Sequence, residues 1–222
     1  MDKSPSTRLS ASDDFHTWWT QSGEWVEPPN HRRKGWSGMV RAQIGDDVYY
    51  IKRQCNHLCR TLKHPLGWPT ASREWHNINR LHHLGVLTPT PHYHGTRRTA
   101  EGLEAVLVTK ELTGFTPLTE QTTLSDDQRH CLAEKTGQLL GILHRARLKH
   151  GCLYDKHIMI CWENKTPRIA LIDLEKMRHS PTRSIAAKQD LDQLKRHQII
   201  WSPEEWVHLI NTHYEIMHRG SR

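Results

Sequence analysis

The 222-residue sequence contains no long apolar segment. Its longest unbroken apolar runs have only a few residues, whereas a helix needs roughly 20 apolar residues to cross a bilayer. The N-terminal stretch MDKSPSTRLSASDDF also lacks the apolar core of a secretory signal peptide. These absences predict a cytoplasmic protein, and they leave contact with a membrane surface open.

The cysteines do not form a disulfide framework. There are five of them, an odd number without a repeating spacing, which favours a reducing compartment. The sequence also has no zinc-ligand spacing, helix-turn-helix signal or RNA-binding aromatic motif. A nucleic-acid-binding protein is therefore the least favoured of three functional interpretations, although the charge alone permits it.

The chain is basic, with a net charge of +7 and a pI of about 9.3. Such a balance favours anionic partners such as nucleotides, phosphorylated sugars or an acidic membrane face. A solvated basic surface is an equal explanation. The run Arg32-Arg33-Lys34 is open to the same alternatives: ATP, acidic lipid or water.

The N-terminal residues 1–30 are polar and are interpreted as a loose arm with one amphipathic piece around Phe15, Trp18 and Trp19. The residues from 31 onward are predicted to form one domain. β-Branched and aromatic runs around the turn Gly45-Asp46-Asp47 indicate a hairpin. Residues 86–94, with two prolines, are interpreted as a connector.

Two helices are predicted before the C-terminal third. Residues 70–84 place Trp75, Ile78 and Leu81 on one stripe, and residues 125–147 begin with a capping pattern at Ser125. A hairpin over 158–172 and helices from about 185 follow. This order predicts an α+β, two-lobed fold with a β-rich N-lobe at about 31–110 and a helical C-lobe at about 111–222.

Four polar features follow one another along this pattern. They are a glycine-rich turn, Gly35-Trp36-Ser37-Gly38; a strand lysine, Lys52; a helix glutamate, Glu74; and an aspartate that ends an apolar strand, Asp173. Singly, each has an ordinary structural explanation. Together they match the needs of phosphoryl transfer, namely backbone N–H groups for phosphates, a cation with its acid, and a carboxylate for the metal. Gly35, Ser37 and Gly38 are thus candidate phosphate-binding residues.

A histidine-led loop, His150-Gly151-Cys152-Leu153-Tyr154-Asp155-Lys156-His157, precedes the strand that ends in Asp173. It lies where a kinase catalytic loop of the form H-R-D-x-x-x-x-N is expected. The alternative is a polar loop between a helix and a hairpin. The order of the features, rather than any one of them, favours a kinase-like site.

With these motifs, the chain resembles the lipopolysaccharide kinase (Kdo/WaaP-like) family and, within it, the InaA-type branch. The resemblance covers roughly residues 32–215. The stretches that carry it are Gly35–Gly38, Tyr50–Gln54, Arg73-Glu74, Leu107–Thr109, Gly114-Phe115, His150–Tyr154, Lys156–Ile158 and Leu171–Lys176.

The resemblance implies a protein-kinase-like fold, ATP with Mg²⁺, and phosphorylation of a sugar of the lipopolysaccharide inner core. By position it implies that Lys52 and Glu74 form the ion pair and that Asp173 holds the metal. The segment Thr109 to Leu112, which includes Glu111, would be the hinge that receives adenine. Asp190 would brace the catalytic loop from below, with a plain helix N-terminal acid as the alternative.

The catalytic loop departs from the kinase pattern. Cys152 stands where the catalytic aspartate is expected, and His157 stands where the asparagine is expected. We expect Asp155 or His157 to take over catalysis, with His157 also able to ligate metal or contact phosphate. An equal alternative is a nucleotide-binding pseudokinase with a regulatory or acid-stress role.

Overall fold

The structure is a computed structural model that describes residues 11–32 and 35–219. The chain divides into two units. Unit 1 comprises Met1–Trp75 and Pro91–Glu111, and unit 2 comprises His76–Thr90 and Leu112–Arg222. The partition into an arm and one two-lobed domain stays a prediction, and Arg33 and Lys34 of the basic run lie outside the described residues.

Unit 1 is built around a five-stranded antiparallel sheet with the strand order β1-β2-β3-β7-β6. A separate two-stranded hairpin, β4-β5, follows the third strand. The elements are α1 Ala11–Thr20, β1 Glu24–Arg32, β2 Gly35–Ile44, β3 Asp47–Cys55, β4 Leu58–Thr61, β5 His64–Pro69, α2 Thr70–His83, β6 Pro91–Thr99 and β7 Gly102–Lys110, with α2 passing into unit 2 at residue 76.

Buried and more exposed residues alternate along β2 and β3, and the buried ones contribute to the core of unit 1. Successive side chains of a strand point to opposite faces, so every second residue of β2 and β3 is buried on the same side. The helix α1 covers that side through Phe15, whose side chain is buried in the cluster. The cluster comprises Phe15, Val40, Ala42, Tyr49, Ile51, Val106 and Val108, with Trp18, Trp19 and Tyr93 packed against it.

For its described part the arm predicted for residues 1–30 is not loose, although the amphipathic piece predicted around Phe15, Trp18 and Trp19 is present. Residues 11–20 form α1, and residues 24–32 form β1, which pairs with β2. The connector predicted for 86–94 is too long, because β6 begins at Pro91 and pairs with β7. Every residue of β1 is exposed, so this edge strand lacks the buried alternation by which a strand is recognised.

Unit 2 is mainly helical, with a three-stranded sheet in the order β11-β10-β8 and a two-stranded sheet β12-β9. Short 3₁₀ turns span Leu118–Glu120, Asp155–His157 and Leu174–Lys176. The longer elements are β8 Thr116–Pro117, α3 Asp126–Arg145, β9 Leu148–Lys149, β10 Ile158–Glu163, β11 Thr166–Leu171, β12 Arg178–His179, α4 Arg183–His197 and α5 Pro203–His218.

The predicted capping of α3 is confirmed. The Ser125 hydroxyl accepts the N–H of Gln128, while the Gln128 side chain accepts the N–H of Ser125. This capping box satisfies two of the backbone donors that a helix N-terminus leaves without partners. Within 11–32 and 35–219, no helix has the length and apolar character needed to cross a membrane.

A chain of buried polar groups links three helices of unit 2. Nε2 of His213 and Nδ1 of His144 share a hydrogen bond at 2.8 Å, and Nε2–H of His144 donates to the Asp190 carboxylate at 3.2 Å. All three side chains are buried. Burial, together with the nearby His144 and His218, lowers the pKa of His213 to about 4, so this imidazole is neutral at pH 7.

This lowered pKa predicts a pH-dependent stability. Between about pH 6.5 and pH 4 the unfolded chain binds a proton at His213 that the folded chain does not bind, so stability falls as the pH falls through this range. We expect the free energy of unfolding to drop by about 2 kcal/mol more between pH 7 and pH 5 in the unmodified chain than in His213→Gln. Chemical denaturation at the two pH values measures both slopes.

The exposed His16 provides a matched control, because His16→Gln leaves the buried chain intact and should keep the slope of the unmodified protein. Equal slopes for His213→Gln and the unmodified chain would show that His213 does not contribute to the pH dependence.

Candidate functional site

A buried ion pair joins β3 to α2 in unit 1. Nζ of Lys52 lies 2.8 Å from Oε2 of Glu74, and both residues are only 8% exposed. Taking two charges out of water costs several kcal/mol per ion unless geometry and further hydrogen bonds offset it. Such a pair is therefore weak evidence for stability and is typical of a site where a charge is held ready for a ligand.

Gln54 fixes the position of this pair. Its side-chain carbonyl accepts the N–H of Ala71 at 2.8 Å, and its amide donates to Oγ1 of Thr70 at 2.8 Å and to Oγ of Ser37 at 3.1 Å. The start of α2 is thereby tied to β3 two residues after Lys52. The Ser37 hydroxyl, predicted to bind phosphate, takes part in this support.

The predicted glycine-rich turn is wrong as a local structure, because Gly35-Trp36-Ser37-Gly38 lies inside β2 and pairs with β3. A Cβ at Gly35 would lie 2.4 Å from the carbonyl oxygen of Cys55, and one at Gly38 would lie 2.8 Å from the ring of Trp25. The glycines allow the strands and the Trp25 ring to pack closely. The phosphate contacts of Gly35, Ser37 and Gly38 stay predictions.

The segment predicted as a hinge lies at the end of β7. Thr109 is buried and pairs with Tyr50 and Pro91, while Glu111 follows the strand and its N–H donates to the Val48 carbonyl at 2.9 Å. The Glu111 carboxylate accepts a hydrogen bond from Nε of Arg41 at 2.9 Å. The adenine contacts of Thr109 and Glu111 stay predictions.

In unit 2, Asp190 braces the histidine-led loop. Its two carboxylate oxygens accept the backbone N–H groups of His150 at 2.7 Å and Gly151 at 2.9 Å. One turn later on α4, the Gln193 side chain accepts the N–H of Leu153 at 2.9 Å. The bracing role predicted for Asp190 is confirmed, and it fixes the backbone on both sides of Cys152.

His150 ties the same loop to the end of β11. Its ring is buried, and Nε2–H donates to the carbonyl of Ile172 at 3.0 Å. Burial lowers the pKa of His150, so the ring is neutral and carries a single N–H. The next residue is Asp173, and its position is therefore coupled to the loop.

Asp173 has left-handed backbone angles, φ 57° and ψ 57°, immediately after β11. A non-glycine residue in this region costs on the order of 1 kcal/mol, and such residues concentrate at functional sites. The carboxylate is about 30% exposed. The fold therefore holds this acid in a strained conformation at the end of a buried strand, as a rigid metal ligand requires.

Cys152, His157 and Asp173 form a cluster whose ligand atoms all lie within 4.8 Å of one another. Nε2 of His157 is 3.5 Å from Oδ2 of Asp173, and Nδ1–H of His157 donates to the carbonyl of Cys152 at 2.7 Å. Burial and the Asp173 carboxylate raise the pKa of the Cys152 thiol, against the opposing effect of Lys176, whose Nζ is 3.6 Å from Sγ.

The predicted catalytic residues are only partly brought together. His157 lies beside Asp173, whereas Asp155 is half-buried, accepts the N–H of Lys156 at 2.9 Å and is not part of the cluster. Cys152 was interpreted from the sequence only as a replacement of the catalytic aspartate, but it belongs to the cluster. The spacing Cys152-x₄-His157 before an acid that ends a strand was the sequence feature that could have indicated a metal-binding group.

The Lys52–Glu74 pair belongs to unit 1, and the Cys152–His157–Asp173 cluster belongs to unit 2. The first supplies a cation with its supporting acid, and the second supplies a set of possible metal ligands. Their convergence on one triphosphate stays a prediction.

Comparisons of structure support the predicted fold. The structure of WaaP in complex with acyl carrier protein matches with a TM-score of 0.71 and 21% identity, covering 91% of this chain and 83% of WaaP. The Rio2 kinase from Chaetomium thermophilum, in its ADP/Mg²⁺-phosphoaspartate complex, matches with a TM-score of 0.56 and 15% identity, covering 94% of this chain and 66% of Rio2. The α+β, protein-kinase-like fold is confirmed.

Comparisons of sequence show the family. Protein InaA of Escherichia coli (strain K12) is 30% identical over 191 residues, which cover 83% of this chain and 88% of InaA. The model of the lipopolysaccharide kinase (Kdo/WaaP) family matches residues 16–213. The order of motifs, the buried Lys52–Glu74 pair and these matches agree, and the chain belongs to the lipopolysaccharide kinase (Kdo/WaaP) family.

Proposed function

We propose that the chain is an ATP-dependent small-molecule kinase that phosphorylates a heptose or Kdo sugar of the lipopolysaccharide inner core. Membership of the family supports a lipopolysaccharide-kinase-like function. The observation that carries the proposal is the buried Lys52–Glu74 pair at 2.8 Å, because holding a lysine by an acid is how kinases prepare it for the nucleotide phosphates.

In this proposal Lys52 binds phosphate oxygens of ATP and Glu74 keeps its ammonium group in place. Thr109 and Glu111 contact the adenine, and Gly35, Ser37 and Gly38 lie beside the phosphates. Asp173 holds the divalent metal that kinase chemistry requires, with Mg²⁺ as the expected ion. A bound divalent ion would neutralise negative charge on the phosphoryl group that is transferred.

The residues present suit Mg²⁺ only in part. Mg²⁺ prefers oxygen ligands and is usually bound through one or two carboxylates together with substrate phosphates and water. Asp173 meets this requirement, whereas the imidazole of His157 and the thiol of Cys152 do not. Asp173 would therefore be the one Mg²⁺ ligand that the cluster provides.

Proton transfer from the sugar hydroxyl needs a base near the transferred phosphate, and the usual aspartate is absent. The Cys152 thiol is a poor substitute, since burial and Asp173 raise its pKa. Asp155 and His157 are the proposed replacements. The Asp155 carboxylate has one oxygen accepting the Lys156 N–H and is partly open to solvent, which leaves acceptor capacity for a substrate hydroxyl.

Cys152 also favours a second candidate function, that of a nucleotide-binding pseudokinase with a regulatory or acid-stress role. In this alternative, ATP binding persists through Lys52, Glu74 and Asp173, and the loss of the aspartate abolishes transfer. The two functions make the same prediction for ATP binding and opposite predictions for phosphate transfer.

We expect Lys52→Met and Asp173→Asn each to weaken ATP binding at least about tenfold, because each removes a charge that faces the triphosphate. Isothermal titration with ATP and Mg²⁺ measures the effect. Lys188→Met, at an exposed lysine paired with Asp192, is the matched control and should bind normally. Removing Lys52 takes a cationic partner from the buried Glu74, so circular dichroism verifies that the variant is folded. If Lys52→Met unfolds, Asp173→Asn still tests the prediction.

Transfer of radiolabelled phosphate from ATP to lipopolysaccharide fragments that end in heptose or Kdo separates the two functions. For an enzyme that uses Asp155 as its base, Asp155→Asn should lower the rate by roughly 10²- to 10⁴-fold without affecting ATP binding. Cys152→Asp, which restores the usual carboxylate, should raise the rate. ATP binding with no transfer, together with a gain of transfer in Cys152→Asp, would support the pseudokinase and contradict the enzyme.

We further propose that the protein is cytoplasmic and contacts the inner membrane peripherally through the β4–β5 hairpin. Leu62 and Leu66 are 103% and 92% exposed, and the exposed Arg60 and Lys63 lie beside them on the same hairpin. Exposed apolar side chains beside basic ones suit an anionic lipid surface, because the first enter the interface and the second pair with headgroups.

Co-sedimentation with vesicles of phosphatidylcholine and phosphatidylglycerol tests this contact. The double variant Leu62→Ser/Leu66→Ser should reduce binding at least about thirtyfold, since burial of each leucine contributes on the order of 1 kcal/mol or more. Ile199→Ser, at a residue of unit 2 that is 80% exposed, is the control and should bind like the unmodified chain. Equal binding by all three proteins would exclude the hairpin as the membrane contact.

A further inference from the structure

The cluster of Cys152, His157 and Asp173 unites three different metal-binding groups in one place. Cys152 and His157 are buried, and the carboxylate of Asp173 is about 30% exposed. A thiol, an imidazole and a carboxylate are the three side-chain types that bind zinc in proteins, whereas Mg²⁺ uses only the last of them. The composition of the cluster is thus that of a site for a softer ion.

The distance between His157 and Asp173 supports this interpretation. Nε2 and Oδ2 are 3.5 Å apart, which is longer than a good hydrogen bond between nitrogen and oxygen. Two ligands of one tetrahedral ion, each bonded at about 2.1 Å, lie roughly 3.4 Å apart. All three ligand atoms lie within 4.8 Å of one another, so a side-chain movement on the order of 1 Å closes the set on an ion.

The orientation of the His157 ring provides a second, independent observation. Nδ1–H donates to the backbone carbonyl of Cys152 at 2.7 Å, so in the neutral ring Nε2 carries a lone pair. Nε2 lies 3.5 Å from the Asp173 carboxylate, on the side where a cation would contact both groups. Metal-binding histidines are commonly oriented in this way, with the second ring nitrogen donating to a backbone carbonyl.

The backbone of the cluster is held in place before any ion arrives. Asp190 accepts the N–H groups of His150 and Gly151, immediately before Cys152, and His150 donates to the carbonyl of Ile172, immediately before Asp173. Fixed ligand positions reduce the entropy lost on binding. Two of the three ligands therefore follow directly after residues that are hydrogen-bonded within unit 2.

We propose that Cys152, His157 and Asp173 form a binding site for a thiophilic divalent cation, zinc above all, with three protein ligands and one open position. The Cys152 thiol loses its proton to solvent and binds as the thiolate. Lys176, whose Nζ now lies 3.6 Å from Sγ, remains as an outer partner of the sulfur or moves into solvent. The open position lies on the exposed side of Asp173, where water or a phosphate oxygen completes the coordination.

The site contains Asp173, which is also the proposed Mg²⁺ ligand. The zinc site rests on the proposed function only where zinc competes with the Mg²⁺ that accompanies ATP. A soft ion at Cys152 and His157 competes with Mg²⁺ for the carboxylate, since affinity for nitrogen and sulfur ligands is far higher for zinc than for magnesium. Zinc binding is measured without nucleotide, so it can fail or succeed independently of ATP binding.

The experiment is a titration of the full, metal-free chain with Co²⁺ under anaerobic conditions, followed by absorption spectroscopy. We expect one equivalent to bind, with a thiolate-to-cobalt charge-transfer band in the near ultraviolet and the intense visible bands of a tetrahedral ion. Zinc should displace the cobalt stoichiometrically, and a roughly thousandfold excess of Mg²⁺ should not.

Cys152→Ser should remove the charge-transfer band and weaken Co²⁺ binding at least tenfold, and His157→Gln should weaken it by a similar factor. Cys161→Ser changes a half-buried cysteine of β10 and should leave the band unchanged. Circular dichroism verifies that each variant is folded. Absence of Co²⁺ binding, binding without the band, or a band that persists in Cys152→Ser would each overturn the proposal.

ATP binding, titrated on the same preparations with Mg²⁺, keeps the two proposals apart. Cobalt binding with the charge-transfer band in a chain that does not bind ATP would sustain the metal site and reject the proposed kinase. ATP binding in a chain without the band would reject the metal site, and phosphate transfer would then decide between the kinase and the pseudokinase.

Discussion

A single buried carboxylate, that of Asp190, fixes the loop on which the chemistry of unit 2 depends. It is 1% exposed and accepts two backbone N–H groups, from His150 and Gly151, while His144 donates to it from below. A buried carboxylate is stable only when such donors replace the water that it has lost. The helices α3, α4 and α5 supply one polar side chain each to this arrangement, through His144, Asp190 and His213. The loop geometry is therefore a consequence of how the three helices pack, and any movement of α4 is passed to the residues beside Cys152.

Unit 1 also contains buried charges that are stabilised by polar partners, in this case an ion pair. Lys52 and Glu74 are buried on β3 and α2, where replacement by apolar residues of similar size is often neutral or stabilising. The pair is also supported by Gln54, which holds the start of α2 against β3. A stability argument alone does not explain why a charge is kept there. Under the proposed function Lys52 neutralises phosphate oxygens, and this role would account for the cost of burying the pair.

The sequence was most informative where burial imposes a period. Strand β3 was predicted from its β-branched and aromatic residues beside a turn, and helix α2 from apolar residues that recur on one stripe. Lys52 and Asp173 were found because they interrupt or end apolar runs. The edge strand β1 was missed, since all nine of its residues are exposed and leave no alternation. Gly35 was interpreted as part of a turn, because a glycine required by a close backbone contact has the same appearance in a sequence as a glycine required by a bend. The grouping of Cys152 with His157 and Asp173 depends on tertiary packing and could be seen only in the structure.

Cysteine in place of the catalytic aspartate changes what the loop can do, rather than merely removing a function. An aspartate at this position would be ionised and would orient an acceptor hydroxyl, whereas a buried thiol with a raised pKa is neutral and orients little. The same thiol becomes a strong ligand once a cation is near enough to take the place of its proton. The hydrogen bond from Nδ1–H of His157 to the Cys152 carbonyl leaves Nε2 on the side of Asp173, 3.5 Å from its carboxylate. In the proposed metal site the substitution shifts the loop from handling a substrate proton towards holding a metal ion. In the proposed kinase the base comes from Asp155 or His157, of which only Asp155 is not a proposed metal ligand.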